Sequence, residues 1–197
     1  MKIYILLFLI GFTFAQFGGG ESIVKGSKKA PLQQDSATDA LTQISYEHHE
    51  IHSGSSYSIS IHQVLGDGDT LKLAIVCPDT KAWAHMLFGM SSSGILQKKV
   101  IEGGAFTGGD TLTIFNRDRN SSNTSGLLMV RNPKITREGA CIDSALWGDR
   151  KLGGGESRGG HEKILAQDST YFLYGISGAA TNRTTFEPHW YEHTNKP

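Results

Sequence analysis

Tyr46-Glu47-His48-His49-Glu50-Ile51-His52-Ser53-Gly54-Ser55-Ser56-Tyr57 decides how this chain is read, because three of its eight histidines crowd into five residues beside a glycine turn. Beyond Ser53-Gly54-Ser55-Ser56, the residues Tyr57, Ile59 and Ile61 alternate with Ser58, Ser60 and His62. A period of two marks a half-buried strand. The short Gly/Ser connection then predicts a β-hairpin whose first strand is 46–52, with His48, Glu50 and His52 on one face and His49 on the other.

The same histidines raise the question of a metal. A His-Glu-x-x-His motif works on a helix, whereas the order here is His-His-Glu-Ile-His followed at once by turn residues, so no helix is expected. On a strand, His48 and His52 stand about 13 Å apart at roughly 3.3 Å per residue, too far to share an ion unless other strands bring ligands. The expectation is therefore no metal, no cofactor and no catalytic residue, with the histidines packing or hydrogen-bonding on a strand face. The competing reading is a cupin-like metalloenzyme in which His48, His49 or His52 joins a distant Glu or His inside a jelly roll.

Working outward, 197 residues are enough for one domain with a real core. Residues 3–15 are almost wholly apolar behind Lys2, and Thr13-Phe14-Ala15 supplies small residues where a signal peptidase prefers them. This predicts a secretory signal peptide over 1–15, too short to span a bilayer, and no membrane association of the mature form. Nineteen basic residues balance nineteen acidic ones, which argues against nucleic acid as a partner. Cys77 and Cys141 are the only cysteines. An oxidising compartment would permit one disulfide, but each lies in an apolar strand-like run, so free, buried thiols are expected. Asn120, Asn123 and Asn182 open tripeptides of the glycosylation type.

Residues 16–39 are polar and turn-prone, the composition of a flexible arm. Across 40–197, short apolar runs alternate with Gly, Asp, Asn and Ser clusters, which predicts an all-β domain, an antiparallel β-sandwich or jelly roll. Tyr57-Ile59-Ile61, Leu71-Leu73-Ile75 and Leu112-Ile114 should face inward together. No fixed-period repeat is present, so propellers and solenoids drop out. Leu152-Gly153-Gly154-Gly155-Glu156-Ser157-Arg158-Gly159-Gly160 lacks the Gly-Lys-Ser/Thr ending of a phosphate loop and reads as an exposed connection. Gly66-Asp67-Gly68-Asp69 lacks the later acidic ligand of a calcium loop and reads as a hairpin turn. A nucleophile elbow is absent, since Ser91 falls one residue out of register in Phe88–Gly94. Cys77 precedes Pro78 with no helix behind it to activate a thiolate.

Several motifs in consistent order resemble a family of small structural proteins of tailed-bacteriophage virions. They are Tyr46–Gly54, Cys77-Pro78-Asp79-Thr80, Phe115-Asn116-Arg117-Asp118-Arg119-Asn120, Gly153-Gly154-Gly155, Glu162-Lys163-Ile164-Leu165, Thr170-Tyr171-Phe172-Leu173 and Trp190-Tyr191-Glu192-His193. The resemblance implies a non-enzymatic β-sandwich subunit that decorates a capsid or joins a tail, located in the virion and partnered by copies of itself and other virion proteins. A signal peptide departs from that family, so residues 1–15 reflect either a misassigned start or a secreted or surface-displayed relative. In the latter case a carbohydrate- or surface-binding sandwich would use Trp83, Trp147, Trp190 or Tyr191 as a stacking platform.

Overall fold

The computed structural model describes residues 45–148, 153–154 and 161–194. The expected leader at 1–15, the arm at 16–39 and most of the Leu152–Gly160 glycine run lie outside the described residues. The described residues, from Ser45 onward, form one compact unit. It opens with α1 (Tyr46–His52), followed by β1 (Ser56–Ser58), β2 (Ile61–Leu65), β3 (Thr70–Cys77), β4 (Ala82–Ser92), β5 (Leu96–Glu102), β6 (Ala105–Thr107), β7 (Asp110–Thr111) and β8 (Phe115–Asn116). Then come β9 (Leu128–Arg131), β10 (Lys134–Arg137), β11 (Ala140–Trp147), β12 (Gly153–Gly154), β13 (Lys163–Ile164), β14 (Ser169–Ser177) and β15 (Asn182–Thr194).

The all-β expectation holds, and among the described residues every strand pair is antiparallel. One sheet is organised on β4 and β15, the two longest strands, paired from Thr184–Ser92 to Thr194–Ala82. β1 and β2 line the other side of β15, and β12 and β13 the other side of β4. The second sheet has the order β11-β5-β14-β3-β9-β7. Their inner faces share one core, as the period-two patterns require: Tyr57, Ile59, Ile61, Met86, Phe88, Phe186 and Trp190 from the first sheet meet Leu71, Leu73, Ile75, Val100 and Leu173 from the second. Leu112 and Ile114 pack against this core while only partly buried.

The alternation rule missed the short pair β6 and β10. Phe106 and Ile135, carried by that pair, cover the outer face of the second sheet over Ala74, Ile101, Val130, Phe172 and Tyr174. Two- to four-residue strands carry too few residues for a period to register. The reading of Gly66–Asp69 as a hairpin needs correction. The turn itself forms, with Gly68 at φ +79° and the Gly66 amide donating to Asp69 Oδ2 at 2.8 Å. However, β2 pairs with β15 while β3 pairs with β14 and β9, so the turn carries the chain between sheets. Two amphipathic strands satisfy their alternation equally well side by side or face to face.

Candidate functional site

The principal correction falls on the histidine segment: residues 46–52 form a helix. Ser45 caps it in extended conformation, its hydroxyl oxygen accepting from the His48 amide at 3.3 Å, with Glu47 in the first turn and His49 and His52 in the last. Seven residues make barely two turns, too few to persist alone in water, so docking must hold them. Three contacts do so. Arg117 Nη1 meets Glu47 Oε1 at 2.5 Å. The buried Glu50 carboxylate accepts from the hydroxyls of Ser53, at 3.3 Å, and Ser55, and lies 3.3 Å from His49 Nδ1. The Gly54 carbonyl accepts from Asn116 Nδ2 at 2.8 Å and Asn123 Nδ2 at 3.2 Å. Gly54 sits at φ +70°, and a Cβ there would lie 2.4 Å from Ser121 Oγ, so glycine is required at this turn.

The helix inverts the geometry expected of a strand. His48 and His52, one turn apart, bring their Nε2 atoms to 2.9 Å, with ring centroids 4.6 Å apart. Both rings are exposed, whereas Glu50, expected on their face, points inward. Among the described residues no three His, Cys, Asp or Glu side chains converge as a metal centre, the number a cupin-like site needs.

A second cluster, which sequence reasoning missed, lies on the outer side of the β4–β15 pair. His85 Nδ1 is 3.0 Å from Glu162 Oε1, and the Tyr191 hydroxyl donates to that same oxygen at 2.7 Å. The His85 ring stacks on Tyr191 at 4.8 Å and on His193 at 4.4 Å between centroids. Register explains the meeting, since Tyr191 is directly opposite His85 and Ile164 follows on the other side. The cluster fastens the segment around β13 to the sheet through a carboxylate that two donors share. A polar residue in the otherwise apolar run 82–90 was the available signal for His85.

Lys98 is the third feature. It is only 2% exposed, facing inward between Leu96 and Val100, with Nζ 3.5 Å from Asp143 Oδ2 and 5.4 Å from the centre of the Trp147 ring. Lys163 shares the Asp143 carboxylate at 3.6 Å. Burial lowers the pKa of the Lys98 ammonium, and Asp143 opposes that shift. The sequence reading did not single out Lys98, although period-two counting from Leu96 places it inward.

The four aromatic residues named for the alternative carbohydrate- or surface-binding reading are not brought together on one exposed face. Trp190 is wholly buried and Tyr191 nearly so, while the half-buried Trp83 and Trp147 belong to different sheets. Trp83 is the second residue of β4, and Trp147 pairs with Leu96, which follows the other end of that strand.

The cysteines are both free. Cys77 is buried as expected, but Cys141 is exposed, because β11 is the edge of its sheet. Their strands are three ladder steps apart, about 14 Å at roughly 4.8 Å per step, far beyond disulfide reach. Burial pushes the Cys77 thiol up to about 12, with Glu192 and Glu102 adding to the shift. In native protein, an aromatic disulfide reagent is therefore expected to titrate one thiol quickly and the second only on unfolding. Two fast thiols would place Cys77 at the surface.

Fold and clusters together define an antiparallel all-β sandwich with a docked N-terminal helical turn. In comparisons with known proteins, no family model, curated protein or solved structure matches the chain.

Proposed function

We propose that this protein is a non-enzymatic structural subunit of a tailed-phage particle, a capsid-decoration or tail-associated protein that assembles with copies of itself and other virion proteins. The observation that supports this reading is the edge of the six-stranded sheet. β11 pairs only with β5 among the described residues, yet it is eight residues long and exposes Leu146 at 71% and Ile142 at 39%. Open ladder groups beside apolar side chains make a template for another chain, and proteins that remain monomeric blunt such edges. A register shift at Ile142 leaves Asp143–Trp147 as the straight part of the edge. Self-association through that edge is the kind of contact a repeating assembly uses.

The test has two arms. Mass spectrometry of purified particles from a host carrying this gene should find the chain at a copy number in proportion to a capsid or tail symmetry. Light scattering of the full chain should show an oligomer that Leu146→Lys converts to monomer with an unchanged circular dichroism spectrum. A chain missing from particles and monomeric in solution would reject the reading.

A further inference from the structure

We propose that His48 and His52 form a surface chelate for a divalent transition-metal ion that accepts nitrogen donors at right angles, copper(II) foremost and nickel(II) next. The two imidazoles project from one face of α1, and their Nε2 atoms stand 2.9 Å apart with an interplanar angle of 56°. That separation, set in the metal-free pair by their hydrogen bond, equals the bite of a right-angled pair of donors. Two nitrogens bound at about 2.0–2.1 Å lie about 2.9 Å apart when the angle at the ion is 90°, and about 3.3–3.4 Å apart at the tetrahedral angle. Right angles belong to tetragonal copper(II) and to nickel(II) rather than to tetrahedral zinc.

The metal-free pair is already arranged for the exchange. In a hydrogen bond between two neutral imidazoles one Nε2 donates and the other accepts, so the ion takes the place of that hydrogen as the donor ring's proton moves to its Nδ1, which leaves a lone pair on each Nε2. Both rings are exposed, which gives the ion direct access and leaves its other positions to solvent. α1 is held in place by the Ser45 cap, the buried Glu50 and the Glu47–Arg117 pair, so the donors are preorganised. His49 contacts Glu50 instead and takes no part in the pair. With two protein donors and no third among the described residues, the ion is exchangeable and its shell is completed by water. This inference stands on the helix geometry alone and does not depend on the virion reading.

The experiment uses the untagged, metal-free full chain, titrated calorimetrically with copper(II) alone, nickel(II) alone and zinc(II) alone. Electron paramagnetic resonance of the copper form counts the nitrogen donors. The expected result is one site per chain with two imidazole nitrogens, and nickel bound at least as tightly as zinc. His48→Gln and His52→Gln should each weaken copper binding by about tenfold or more, the advantage of an intramolecular second donor. His49→Gln should leave it unchanged. Because all three histidines are exposed, circular dichroism should show all three variants folded. Copper binding unaffected by His48→Gln or His52→Gln, equal loss in His49→Gln, or zinc bound more tightly than nickel would overturn the assignment.

Discussion

Trp190→Ala is expected to remove about 3–5 kcal/mol of folding stability, the usual range for truncating a buried tryptophan. The residue is wholly buried and stands opposite Tyr57 in the β1–β15 ladder, with ring centroids 5.9 Å apart. Its Nε1 donates to Glu192 Oε1 at 2.8 Å. The same carboxylate accepts from the Ser125 hydroxyl and from the Gly126 amide at 2.9 Å, so it ties the loop before β9 to β15. Alanine removes both a large ring from the shared core and one of the donors to Glu192. Against a typical total of about 5–15 kcal/mol, such a loss brings the domain close to unfolding at ambient temperature. Trp190→Phe should recover most of the packing but not the hydrogen bond. Urea denaturation monitored by circular dichroism reads the difference, and a loss under about 1 kcal/mol for Trp190→Ala would mean that the ring is not in the core.

The second large effect is alkaline destabilisation. Cys77, with an ordinary value of 9.0, is pushed up to about 12, chiefly by burial. Burial likewise raises Tyr171, assisted by Glu102, and Tyr174, assisted by Glu138, above their ordinary 10.0. An acid whose folded pKa is raised keeps its proton in the native state after the unfolded chain has lost it. Stability from these groups is therefore complete below pH 9 and falls as pH rises from there through the folded values. Lys98 works in the opposite sense: its lowered folded pKa makes stability rise with pH until the ordinary value of 10.5 is reached, and not beyond. Cys77 alone is worth up to about 4 kcal/mol across pH 9 to 12, from three units at about 1.4 kcal/mol each. The midpoint of thermal unfolding should decline above pH 9 and drop steeply above pH 10.5, where Lys98 no longer compensates. Cys77→Ala should flatten the first part of that decline. A midpoint independent of pH from 9 to 12 would contradict the buried placement of these groups.

Alternation alone located most of the sandwich. Tyr57-Ile59-Ile61 and Leu71-Leu73-Ile75 all point into the shared core, because on a strand the side of each residue is settled by counting in twos. Lys98 followed the same count, although nothing local revealed that Asp143 and Trp147 would receive it. The histidine segment was misread for a different reason. Residues 46–52 are too few for a helical period to stand out, and the helix they form is held by Arg117, Asn116 and Asn123, about 70 residues away in sequence. Cys141 was placed inside because its run is apolar, yet its strand ends a sheet, and strand order is not written in any one strand.

The sequence by itself determined the class of fold, the inward faces of the long strands and the inert character of Cys77, since each depends on local periodicity or on the bulk of neighbouring apolar residues. Only the tertiary structure decided that His48 and His52 touch, that His85, Glu162 and Tyr191 share one carboxylate oxygen, and that β11 is an edge. Those outcomes depend on which distant segments pack together, and packing partners are chosen by the complementarity of whole surfaces, which no window of the chain contains.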